Sequence, residues 1–177
     1  MNLLGFPEGS LGVLQEGESL SKELADNRRL AFFHGRMGVY YTYRGSPHLG
    51  VKYLEEALEE GRKSQDIDLI VPIAGGLCFS YIGTGQFVKV ADIAPGVLDL
   101  LEKAERESDF FAMHMNPYSA LCGQCGMSMG YLGNFEEGKI FLEKGLRHAA
   151  QVGDSRTLGL VEIQYGAFFT PRGTRSP

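Results

Sequence analysis

The sequence predicts an all-α fold, an array of about three to four helical hairpins that is incomplete at both ends. Three observations carry that prediction. Apolar residues recur at helical spacing, as in Tyr53, Leu54, Ala57, Leu58 and Gly61. Three segments align with one another on Gly45, Gly85 and Gly133, which sit where a turn would join two helices. The chain also holds 24 glycines. Each glycine inside a helix costs about 1 kcal/mol relative to alanine, so close packing must offset them.

Taken in order, the chain reads as one domain over residues 1–177 with units at 10–26, 27–66, 67–109, 110–154 and 155–177, the first and last being half units. Residues 10–25 read as the second helix of a hairpin whose first helix is missing. In the next unit, Gly38 to Gly45 closes a first helix and Leu49 to Leu58 runs through a second, with Glu55, Glu56, Glu59 and Glu60 on its outer face. Cys78 to Gly85 repeats the pattern and leads through Phe87 to Val97 and Leu98. There the approach to Pro72 predicts a helix start or a kink, and Pro95 predicts a kink in the second helix. Gly126 to Gly133 repeats it again, followed by Phe141, Leu142, Gly145, Leu146 and Ala149. An aspartate recurs after each second helix, at Asp26, Asp66, Asp109 and Asp154, as helix N-caps would. Asn116-Pro117 is a stronger start signal, a capping residue followed by proline in the first turn. Thr157 to Phe169 reads as a last first helix, with Pro171-Arg172-Gly173 at the turn position.

A small residue, an aromatic one turn later, a glycine turn and Ala-Leu late in the second helix together resemble the tetratricopeptide repeat (TPR) family. Gly38, Tyr41, Gly45, Ala57 and Leu58 carry the resemblance in one unit; Gly126, Gly133, Phe135, Gly138, Gly145 and Leu146 carry it in another. The unit between departs, with Cys78, Val90 and Val97 at small-residue positions. The early Trp and closing Pro of the family are absent, and the turn glycines lie 40 and 48 residues apart against about 34 for the standard unit. The resemblance therefore implies a long-helix variant, like scaffolding regions of large bacterial signalling proteins, wound as a right-handed superhelix. In that register Gly38, Gly50, Gly126, Gly138 and Gly145 fall where the two helices of a hairpin cross.

Composition narrows the function. A net charge of −5 argues against a nucleic-acid partner, which needs a basic surface, and fits a cytoplasmic protein. Residues 69–88 and 110–135 lack Lys, Arg, Asp and Glu, but the Gly, Ser, Asn, Gln and Pro within them predict buried helices rather than membrane spans. The N-terminus has no basic leader and does not read as a signal peptide.

Local chemistry is sparse. Three cysteines do not make a disulfide framework. Cys122 and Cys125 in Cys-Gly-Gln-Cys lie more than a turn inside the predicted helix, without the preceding strand and N-terminal placement that activate a redox pair. Three residues apart, they share a helix face, so core packing is expected of them. His34, His48, His114 and His148 form no metal-binding pattern, and Gly83-Thr84-Gly85 lacks the Lys-Ser/Thr of a phosphate loop. No cofactor is expected, and no catalytic role.

The expected function is a non-catalytic protein–protein interaction module or scaffold, with a protein or peptide partner. Two surfaces are candidates. By TPR register the concave wall holds Phe32, Gly35, Val39 and Thr42, then Gly75, Phe79 and Ile82, then Gly123, Met127 and Gly130; an alternative role is to sense a peptide or small apolar ligand there. The unfinished last unit leaves Leu158, Leu160, Val161, Ile163, Tyr165, Phe168 and Phe169 without a covering helix, which predicts a homodimer formed through them.

Overall fold

A computed structural model describes residues 6–169, the side chains of Phe168 and Phe169 excepted. The described residues form eight α-helices: α1 (Ser10–Glu23), α2 (Asn27–Tyr43), α3 (Pro47–Ser64), α4 (Ile67–Gly83), α5 (Phe87–Lys103), α6 (Pro117–Tyr131), α7 (Phe135–Gln151) and α8 (Ser155–Phe169). Each packs on the next in chain order. In addition α2 touches α4, α4 touches α6 and α6 touches α8, whereas α1, α3, α5 and α7 make no contact with one another. The even-numbered helices thus form a continuous inner layer, and the odd-numbered ones ride outside it.

The expected punctuation is present. Gly45, Gly85 and Gly133 have φ of 83°, 73° and 90°, a left-handed conformation that glycine adopts without steric cost. Asp26 and Asp66 cap α2 and α4 by accepting the backbone N–H of Arg29 and Asp68, each at 3.0 Å. Asp109 departs from the expectation. The N-cap of α6 is Asn116, whose Oδ1 accepts Ser119 N–H at 2.9 Å, while Asp109 pairs with Arg106 at 2.7 Å in the connection between α5 and α6. That longer connection, residues 104–116, is why the turn glycines spread from 40 to 48 residues. The long period of the preceding unit comes instead from helices of 17 and 18 residues. Pro72 and Pro95 start and end nothing: α4 and α5 run through them.

Hairpin crossings explain the glycines. A methyl group on Gly38 would lie 2.8 Å from the Gly50 carbonyl oxygen; one on Gly126 would lie 2.5 Å from the Gly138 carbonyl oxygen and 2.9 Å from the Leu142 nitrogen. So α2 and α3, and likewise α6 and α7, meet backbone to backbone. In the middle hairpin the same register places Cys78 and Val90, both fully buried, so side chains separate α4 from α5. The core runs along this seam through Leu54, Leu77, Leu98 and Leu121, each contributing roughly 1.5–3 kcal/mol by leaving water. The two charge-poor stretches become α4 and α6, helices with neighbours on several sides. No helix among the described residues is long and apolar enough to cross a membrane.

Candidate functional site

The Cys-Gly-Gln-Cys stretch lies inside α6. Cys122 and Cys125 are fully buried and free, as is Cys78 on α4. Burial pushes each of the three thiols up to about 12, which leaves almost no thiolate at neutral pH. Both cysteines of the motif face the core, as their shared helix face predicts.

Polar clusters join helices. Ser119 Oγ lies 2.9 Å from His148 Nδ1. A hydroxyl–imidazole pair can serve acyl transfer, but Ser119 is fully buried, and the pair ties α6 to α7. Burial lowers the His148 pKa, favouring the neutral ring. Tyr118 and Lys144 both reach Glu102, at 2.8 and 2.5 Å, linking α5, α6 and α7. Glu55 is similarly held by Tyr81 at 2.6 Å and Lys89 at 2.9 Å, so it is not merely part of a solvated acidic face.

The deepest cluster joins the starts of α6 and α8. Asp154 accepts the Asn116 N–H at 2.7 Å, the Thr157 hydroxyl and the backbone N–H of Thr157 at 3.1 Å. Asn116 Nδ2 donates in turn to the Glu107 carbonyl at 2.8 Å, which anchors the long connection. Burial works against the Asp154 charge, but these hydrogen bonds outweigh it and hold the carboxyl below its ordinary range.

The expected concave wall exists in part. Phe32 and Phe79 are exposed, at 46% and 43%, and Phe79 stacks on Tyr43 at 5.5 Å. Val39, Thr42, Ile82 and Met127 are half-buried. The small residues between them are partly covered. Ile73 of α4 fills the space at Gly35, Gln124 of α6 reaches the Gly75 carbonyl at 3.4 Å, and Gln164 with Val161 of α8 fills the space at Gly123. Gly35, Gly75 and Gly123 are equivalent positions counted from the turn glycines; Gly35 and Gly123 receive the next inner helix, whereas a methyl at Gly75 would meet nothing within 4 Å. Thr42 is occupied as well, with its hydroxyl 2.7 Å from Ser80 Oγ.

The last helix also differs from expectation. Val161 is fully buried against α6 and belongs to the inner layer rather than to an open face. Leu158 and Tyr165 are half-buried, and the side chains of Phe168 and Phe169 lie outside the described residues. Ile163 is the apolar residue that projects, 72% exposed. It stands at the position where α2, α4 and α6 carry Gly35, Gly75 and Gly123. At the other end, α1 exposes Val13 at 67% and Leu20 at 50%, and its C-cap Leu24 is 66% exposed. Sequence reasoning named no site on α1. Beside α1 a hollow of about 390 Å³ is lined by Phe6, Ser10, Val13, Leu14 and Arg36, together with Glu8 and Gly9.

No family model matches this sequence, and no curated protein is detectably similar to it.

Proposed function

We propose that this chain is a non-catalytic protein–protein interaction module, a scaffold of TPR type working in the cytoplasm of a bacterium and self-associating through α8. The observation that carries the reading is the outer face of α8. Among the described residues, the inner helices α4 and α6 are covered on both sides by outer helices, but α8 has only α6 and α7 beside it. Ile163 projects from it, 72% exposed, where two of its counterparts, Gly35 and Gly123, meet the next inner helix. Full burial of such a side chain is worth roughly 1.5–3 kcal/mol, and an uncovered helix face is the kind of surface a partner takes. Neither nucleic acid nor membrane is the proposed partner. Size-exclusion chromatography with light scattering tests this. The wild type should exceed monomer mass at tens of micromolar and Ile163→Glu should return it to monomer; a wild type that stays monomeric removes the self-association.

A second reading, binding of a peptide through the concave wall, is favoured by the exposed Tyr43–Phe79 stack and by the exposed Phe32 ring further along α2. Amphipathic helices are read through such spaced anchors. Phe79→Asp, with circular dichroism to confirm folding, should abolish capture of a helical peptide ligand; unchanged capture eliminates this wall as the site.

A further inference from the structure

We draw no further inference here: the strongest candidate, the apolar rim at the α4–α5 and α6–α7 turns, where Phe87 stacks on Tyr131 and Val88, Leu132 and Phe135 stand exposed, carries nothing because nothing in the structure shows what covers it.

Discussion

Replacing Gly126 with alanine is the sharpest test of how these hairpins are built. On helix propensity alone the change should stabilise α6 by about 1 kcal/mol. The structure reverses the sign. The new methyl would sit 2.5 Å from the Gly138 carbonyl oxygen, 2.7 Å from Leu142 Cγ and 2.9 Å from the Leu142 nitrogen. Favourable carbon contacts begin near about 3.5 Å, so α6 and α7 must separate by about 1 Å at their crossing. Two of the three obstructing atoms are backbone and cannot rotate away. Overpacking of this kind costs typically about 1–3 kcal/mol, occasionally more, and separating the helices loosens Leu142 and Ala149, both fully buried. A net loss of about 2 kcal/mol is expected. Gly96→Ala is the control, because a methyl there meets nothing within 4 Å and should gain up to about 1 kcal/mol. Urea unfolding followed by circular dichroism reads both, with unchanged m-values required for the comparison. If Gly126→Ala proves as stable as Gly96→Ala, the backbone-to-backbone crossing is wrong.

Four further outcomes follow from the interior. Asp154→Ala leaves the Asn116 N–H and the Thr157 hydroxyl without their acceptor and should cost about 2–4 kcal/mol in urea unfolding. The folded pKa of Asp154 is depressed, so its contribution is complete above the unfolded carboxylate value of about 3.9 and fades as pH falls through the lower folded value; Asp154→Asn should flatten that acid limb, and an identical limb in both proteins would contradict the assignment. Ellman's reagent at pH 8 should leave Cys78, Cys122 and Cys125 unmodified in the native protein and titrate all three in urea, since thiols pushed up to about 12 hold only about one thiolate in ten thousand; rapid native labelling of any of them would refute the buried placement. Gln164 is buried with its Oε1 lacking a hydrogen-bond partner, so Gln164→Met should gain about 1 kcal/mol, and a loss of stability would show that the amide has a role in the inner layer.

Much of this architecture was legible because it rests on local backbone demands. A turn that needs positive φ selects glycine, and a free helix N-terminus selects aspartate or asparagine, so Gly45, Gly85, Gly133, Asp26 and Asp66 could be read directly. Asp109 misled because the connection after α5 holds a second polar residue ahead of the true cap, Asn116, whose Pro117 was the better signal. Which face of α8 is open was harder to read. Val161 and Ile163 are both apolar and both fall within one helical stretch, yet two residues along a helix is a turn of about 200°. Only the contact with Gly123 decides that Val161 goes in and Ile163 out. The depth of the concave wall was hard to read for a related reason. Periodicity identifies small residues on a face, but whether Ile73, Gln124 and Gln164 fill the space above them depends on how far each inner helix is rotated about its axis.

The middle hairpin gives the array a mechanical character. At either side of it, paired backbones leave no layer of side chains that could shear. Between α4 and α5 the sulfur of Cys78 and the methyls of Val90 form such a layer, held by dispersion contacts that can slide and re-form. Pulled from its two ends in an optical trap, the chain should yield first at this joint, and bending during assembly should concentrate there. The array is then two stiff plates on one compliant hinge, with the hinge placed by Cys78 and Val90 standing where the plates have glycine.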